Sequence, residues 1–361
     1  MSADSAEKST SSVTSADSAE KSASSDTCEE AMTAPTRVLV TGAGGPAGVA
    51  VIRRFLEDPT VDVLAADMDP FAAGLYLVGP DRRFLVPAGD ADDFVDDVRR
   101  RCRIEGIDVV VPTVDSELLP LAEHRAAFAD AGVRLAVTGV EPLRDTLDKA
   151  ALAGRCAGAV HIPRTVLLTA DLDLTTWTYP VIVKPRRGSG SRGVFTVDSA
   201  VALAQLPPDD ALMVQEYLPG EEYSLDVIAD LGSRVISVVP RSRLRVDSGV
   251  SVAGRTLHDP ELDDLARGVV AALGLTLVAN VQCRRDRDGR PALLEVNPRF
   301  PGAMPLTIHS GVDMPRLCLD AVLGRPLPES VPFRDTMMVR FLDDRFPALS
   351  ELVPERTPVR A

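Results

Sequence analysis

Tyr179-Pro180-Val181-Ile182-Val183-Lys184-Pro185-Arg186-Arg187-Gly188-Ser189-Gly190-Ser191-Arg192-Gly193-Val194 reads as an apolar strand that ends in a lysine and turns through a glycine/serine loop. The lysine stands out because 35 of the 39 basic residues are arginine, and only Lys149 and Lys184 lie beyond residue 21. Arginine is a wide planar fork, whereas lysine is a compact charge on a flexible stem. A narrow phosphate pocket under a glycine loop suits the second. The backbone N–H groups and hydroxyls of Ser189, Gly190, Ser191 and Gly193 are able to take phosphate oxygens. The lysine precedes the glycines, so this is not a Walker A motif. Read alone, the segment is equally a Gly/Ser hairpin turn with an exposed lysine.

Outward from that loop, the chain changes character twice. Strands are expected at 37–41, 61–66, 84–86, 108–112 and 133–138, and helices at 49–56, 92–105 and 117–131. Strands alternating with helices predict a parallel sheet covered on both faces. Residues 36–140 are therefore read as an open, Rossmann-like α/β domain. A helix over 145–159 follows. Next come strands at 165–168, 181–184, 193–197, 212–217, 222–229 and 235–240, with helices at 199–205, 261–273 and 314–323. A hairpin over 278–284 and 292–297 turns at Asp286-Arg287-Asp288-Gly289. One more strand is expected within 336–342. This half reads as α+β with mostly antiparallel strands. At the other end, residues 1–35 are rich in Ser, Ala, Thr, Asp and Glu, with a near-identical 13-residue repeat at 2–14 and 15–27. Such a segment buries too little apolar surface to offset ordering entropy and is expected to be disordered.

Three further motifs carry chemistry. Met213-Val214-Gln215-Glu216-Tyr217-Leu218-Pro219-Gly220-Glu221-Glu222 runs from an apolar strand into a short linker. Linker backbone groups are able to pair with a purine edge, and Glu222 is able to accept from ribose hydroxyls. Leu293-Leu294-Glu295-Val296-Asn297-Pro298-Arg299 places Glu295 and Asn297 on one strand face. Gln282, on the preceding strand, is able to face them. One carboxylate and two amide oxygens form a hard-oxygen set suited to Mg²⁺ shared with substrate phosphates. Arg299 is placed to touch a phosphoryl group. Finally, Gly42-Ala43-Gly44-Gly45-Pro46-Ala47-Gly48 follows a strand, and Asp67 ends the next one. That is a dinucleotide-type turn with an imperfect glycine register, or else a tight βα turn with no cofactor of its own.

Bulk properties exclude several classes. A net charge of −14 argues against a nucleic-acid surface, and 4% aromatic residues against a stacking platform for single strands. Five cysteines at long spacings, with no Cys-x-x-Cys, fit a reducing cytoplasm rather than a disulfide or zinc scaffold. No apolar run reaches the length of a membrane span, and the N-terminus lacks the pattern of a secretory signal.

Asp148-Lys149, Lys184 with its glycine loop, the Gln215–Leu218 linker and Glu295-x-Asn297-Pro298-Arg299, in this order, resemble the motifs of the ATP-grasp superfamily. The stretch from Asn280 through Gln282 to Arg299 is most similar to the carbamoyl-phosphate synthetase large-chain branch. The resemblance spans roughly residues 36–330 and a single grasp unit. It implies a pre-ATP-grasp domain at 36–140, an ATP-grasp N-lobe at 141–210, a C-lobe with the metal site at 211–330, and an extension at 331–361. By resemblance, Lys149 and Lys184 bind phosphates, the 188–193 loop covers them, and Glu216 and Leu218 meet adenine. Glu222 binds ribose, and Gln282, Glu295 and Asn297 ligate Mg²⁺. The implied reaction activates a small-molecule carboxylate with ATP for attack by an amine, with homodimers common in the superfamily. Arg241, Arg243 and Arg245 alternate along one strand and, with Arg192, are the candidates for carboxylate recognition. Asp247-Ser248-Gly249 is read as a mobile loop over the acceptor. The alternatives are an NAD-dependent oxidoreductase built on the 42–48 turn and a non-catalytic ATP-binding protein.

Overall fold

The computed structural model describes residues 34–188, 192–247 and 249–353. The tandem repeat of the N-terminal tail falls outside them, as do Ser189, Gly190, Ser191 and Ser248.

The N-terminal domain is built on β1 (Thr36–Thr41), β2 (Val61–Asp67), β3 (Arg83–Leu85), β4 (Val109–Pro112) and β5 (Arg134–Leu135), paired in the order β3-β2-β1-β4-β5. All four pairings are parallel. Alternate residues face opposite ways. Val38 and Val40 pack with α1 (Pro46–Leu56) in one core. Leu39, Leu64 and Val110 pack with α2 (Phe94–Glu105) and α3 (Asp115–Glu123) in another. The chain order reverses between β1 and β4, and at such a switch point the loops beyond the strands' carboxyl ends make a crevice. Those loops here are 42–45 and 113–114.

Two expected helices are broken, each by identifiable side chains. The 117–131 segment divides into α3 and α4 (Arg125–Ala129) at His124. There the imidazole Nδ1 donates to the Pro120 carbonyl at 2.8 Å. The His124 backbone N–H turns to Leu121 O instead. The 145–159 segment divides into α5 (Val140–Thr146) and α6 (Lys149–Cys156). Asp148 leaves helical geometry and caps α6, accepting from the N–H groups of Ala150 and Ala151 at 3.0 and 3.2 Å. The expected strand at 133–138 shrinks to the two paired residues of β5.

The second half forms two antiparallel sheets. β6 (Thr165–Leu168), β7 (Val181–Pro185), β8 (Phe195–Val197) and β9 (Asp209–Glu216) pair in the order β6-β9-β7-β8, with α7 (Ala200–Ala204) between β8 and β9 in the chain. β10 (Glu222–Ala229), β11 (Val235–Asp247), β12 (Val250–Thr256), β13 (Leu277–Arg285), β14 (Pro291–Asn297) and β15 (Met337–Val339) pair as β14-β13-β10-β11-β12-β15. One face of this larger sheet packs on α6 and α8 (Pro260–Leu273). Helix α8 begins at a capping Asp259 and stops at left-handed Gly274. Its other face, through Ile228, Val239 and Val278, shares a core with β1, α1, α9 (Met304–Ser310) and α10 (Met314–Leu323). That shared core fixes the crevice of the parallel sheet against the metal-type hairpin. Among the described residues no helix is long and apolar enough to cross a membrane.

Candidate active site

A cavity of about 170 Å³ lies between the four-stranded and six-stranded sheets. On β7, Val181 and Val183 enter the core of the four-stranded sheet, so Ile182 and Lys184 face the cavity. Lys184 is 7% exposed, and its Nζ donates to Gln215 Oε1 at 2.9 Å. Gln215 in turn donates to Thr165 Oγ1 at 2.9 Å. Burial pulls the Lys184 ammonium down to about 8, with Glu295 opposing the shift and Lys149 adding to it. Lys149, the first residue of α6, donates to the Gly188 carbonyl at 2.7 Å. Asp148 receives Arg186 at 2.7 Å and Arg187 at 3.2 Å. The base of the glycine loop is thereby pinned to the α6 N-terminus. Glu216, Tyr217, Leu218 and Glu222 form another wall of the same cavity. The Glu216 N–H is spent on Arg164 O at 2.8 Å.

The hairpin β13–β14 forms the remaining wall. Gln282 stands opposite Glu295, and Asn280 opposite Asn297. Simple alternation would put Leu293 on the face of Glu295. The register slips after Gln282, however, so Cys283 pairs with Leu293 and Leu294 becomes the extra residue of a bulge. Leu293 is buried in the core under α8, and Leu294 joins Glu295 at the cavity. Gln282 Nε2 lies 3.4 Å from Asn280 Oδ1, and Asn297 Nδ2 lies 3.3 Å from Glu295 Oε1. Both amide nitrogens thus point to neighbours, which turns the Gln282 oxygen toward a cation, while Asn297 Oδ1 accepts from Arg299 Nη2 at 3.4 Å. Among the described residues no cluster of three or more His, Cys, Asp or Glu is arranged to hold a metal. One carboxylate with amide oxygens instead fits Mg²⁺ that takes further ligands from phosphates and water.

A second cavity, of about 300 Å³, adjoins the first, and Gln282 and Glu295 line both. Arg241, Arg243 and Arg299 bring cations to it, and Asn297 borders it. Arg241 is 2% exposed and pairs side-on with Asp226, through Nε at 2.7 Å and Nη2 at 2.6 Å. Asp226 also accepts from Asn280 Nδ2 at 2.8 Å and from Thr307 Oγ1. Arg243 pairs with Glu222 at 3.0 Å and donates to Gly249 O at 3.1 Å. Strand β11 does continue past Pro240, but its register against β12 shifts on both sides of Arg245. The expected shared face ends there. Arg245 is exposed and borders neither cavity, which removes it from the carboxylate-binding set. Arg192 borders the first cavity, not the second. Gly193 lies beside Pro185 and borders neither. The loop expected over the acceptor joins β11 to β12; its Ser248 lies outside the described residues, and Gly249 borders the second cavity.

The 42–48 turn serves packing. Gly44 N–H donates to Asp67 Oδ2 at 2.7 Å, which occupies the carboxylate a dinucleotide ribose would need. A Cβ on Gly44 would stand 2.7 Å from Ala72 Cβ, so the next loop already fills the groove. Gly45, Pro46 and Ala47 instead wall the second cavity, together with Thr113, Val114 and Asp115. Sequence reading missed that wall. Its signal was present: both segments follow strands at the carboxyl edge of a parallel sheet, on either side of the order reversal. It also missed the apolar sides of the first cavity, Ile182, Val194 and Leu294.

Residues 38–136 match the family model "PylC-like, N-terminal domain". Residues 208–345 match "ATP-grasp in the biosynthetic pathway with Ter operon". The chain is 30% identical over 166 residues to the carbamoyl phosphate synthase arginine-specific large chain of Geobacillus stearothermophilus, a match covering 42% of this chain and 16% of that one. Among solved structures, the biotin carboxylase–β-γ-ATP complex from Campylobacter jejuni aligns with a TM-score of 0.69 at 17% identity, covering 84% of this chain and 74% of the other. The L-amino acid ligase from Bacillus licheniformis aligns at 0.62 and 18% identity, covering 80% and 75%. At such identities these two likenesses speak for the fold. Residues 38–136 thus match a PylC-like leader and residues 208–345 an ATP-grasp domain, and the solved structures share the fold that joins them.

Proposed function

We propose that this chain is an ADP-forming carboxylate–amine ligase, with MgATP in the first cavity and a small-molecule carboxylate in the second. The observation that carries the reading is the wall common to both cavities, Gln282 and Glu295. A donor set suited to Mg²⁺ stands between a lysine-lined pocket and an arginine-lined one. Lys149 and Lys184 offset triphosphate charge, and the loop from Gly188 to Gly193 covers the phosphates. The Glu216 carbonyl and the Leu218 N–H take the adenine edge, and Glu222 takes ribose. Mg²⁺, when held by Gln282, Glu295, Asn297 and the phosphates, supplies charge neutralisation at the transferred group. Arg241 and Arg243 orient the carboxylate, whose oxygen attacks the γ-phosphorus as the bond to ADP breaks. Arg299 steadies charge on the phosphoryl group. An amine nitrogen then attacks the acyl carbon, phosphate leaves with the C–O bond's electron pair, and the nitrogen loses a proton. Placing both anions within one crevice supplies most of the demand, since phosphoryl transfer rests on alignment and charge stabilisation.

The likeness to an L-amino acid ligase puts amino acids first among acids and amines to try. The test is ADP release with MgATP against panels of amino acids, small acids and peptides, followed by carboxylate-¹⁸O labelling of the active acid. One ¹⁸O atom in the released phosphate is expected, and Lys184→Ala and Glu295→Ala should abolish it. Phosphate free of label would show that the acid is not phosphorylated.

A further inference from the structure

We propose that Asp115, contributed by the N-terminal domain, is a positioning residue for phosphoryl transfer that acts through Arg299; this rests on the reading of the site given above. Asp115 opens α3, directly beyond the carboxyl end of β4. It grips Arg299, 184 residues away, through both oxygens: Nε to Oδ1 at 2.8 Å and Nη2 to Oδ2 at 2.9 Å. Two parallel bonds fix the plane of a guanidinium as well as its position, which a single contact does not. Arg299 is also tied to the hairpin, with its backbone N–H on Asn297 O at 2.9 Å. Both members of the pair border the second cavity. Asp115 also borders a third cavity, of about 90 Å³, with Lys149, Gly188, Glu295 and Asn297. The pair thus borders the second cavity, and through Asp115 reaches the small cavity shared with the phosphate-side Lys149, rather than lying at a remote seam. It makes the geometry of Arg299 depend on the N-terminal domain. Asp115 is absent from the lining of the first cavity, so its loss should spare nucleotide affinity.

The experiment compares wild type, Asp115→Asn, Asp115→Glu, Arg299→Lys and the Asp115→Asn/Arg299→Lys double variant. It reads MgATP affinity by calorimetry, and kcat and KM for acid-dependent ADP release. Misplacing one reacting group by about 1 Å costs on the order of 100-fold. Asp115→Asn should therefore lower kcat roughly 10- to 100-fold while the MgATP Kd moves less than about threefold. Asp115→Glu should recover most of kcat, which a purely structural role would not require. The double variant should be no slower than Arg299→Lys, because both act on one group. Asp115→Ser replaces the amide variant if that one does not fold. Unchanged kcat, multiplicative losses in the double variant, or a loss confined to MgATP affinity each overturn the proposal. A wild-type protein that turns over normally beside an indifferent Asp115→Asn overturns this inference alone. One that binds no MgATP overturns the site reading with it.

Discussion

Replacing Lys184 by methionine should make the nucleotide-free protein more stable while removing its activity. Lys184 is 7% exposed, and its ammonium is pulled from an ordinary 10.5 to about 8, mainly by burial. At about 1.36 kcal/mol per pH unit, keeping that group charged near pH 7 costs the folded chain about 3 kcal/mol. Methionine has nearly the same length and needs no hydration. It strands Gln215 Oε1, which now accepts from Nζ at 2.9 Å, at a cost of about 1 kcal/mol. The net expectation is a gain of about 2 kcal/mol, or a Tm higher by a few degrees. The pH dependence separates this cause from better packing. Between about 8 and 10.5 the unfolded chain holds more protons than the folded one, so wild-type stability rises with pH there. The Lys184→Met chain lacks that slope, and its advantage should be full at pH 7 and reversed by about 1 kcal/mol at pH 10.5, where only the stranded Gln215 oxygen counts. Urea denaturation of both proteins at pH 7, 8.5 and 10 reads the difference. A variant less stable at pH 7, or an advantage that does not shrink with pH, would refute the claim that the site stores an unfavourable charge for an anionic ligand.

Other consequences follow from buried charge and from the bulge. Glu117 is 5% exposed, and burial pushes its carboxyl up to about 7, with Asp67 adding to the shift. The folded chain then holds a proton that the unfolded chain releases near 4.5, so stability falls as pH rises between those values. Glu117→Gln should match wild type in urea at pH 4.5 and exceed it by about 3 kcal/mol at pH 8; equal stability at pH 8 contradicts this. Asp226→Ala leaves Arg241, Asn280 and Thr307 without their common acceptor. A loss of about 3–5 kcal/mol is expected in denaturant melts, as for other broken buried pairs. Leu294→Ala should weaken MgATP binding about tenfold in calorimetry with little change in Tm, since the bulge aims this side chain at the cavity.

Periodicity made the α/β leader and the hairpin legible in advance. The turn at Asp286–Gly289 put Gln282 across the hairpin from the Glu295 strand, but the register running from that turn would set it opposite Leu294, and only the bulge brings it to Glu295. What stayed hidden was mostly local irregularity. Nothing in Leu293-Leu294 tells which leucine faces the core, since the answer depends on one bulged residue. The same holds for Arg243 and Arg245, which share a period but not a face. Asp148 looked like a helical residue and is a cap, because two arginines from the neighbouring strand end hold its carboxylate outside the helix. Asp115 and Thr113 were invisible for a different reason. Their role depends on a docking of sheets through Ile228, Val239 and Val278 that no local pattern encodes.

The most direct test of the account is titration calorimetry of the full chain with MgATP, beside Glu295→Ala and with ATP in excess chelator. One nucleotide per chain is expected, weakened at least about tenfold by Glu295→Ala in the presence of Mg²⁺. Much less difference between the two proteins is expected once the metal is removed. No uptake of nucleotide by the wild-type chain, or the same affinity in Glu295→Ala with Mg²⁺ present, would contradict the assignment of both cavities.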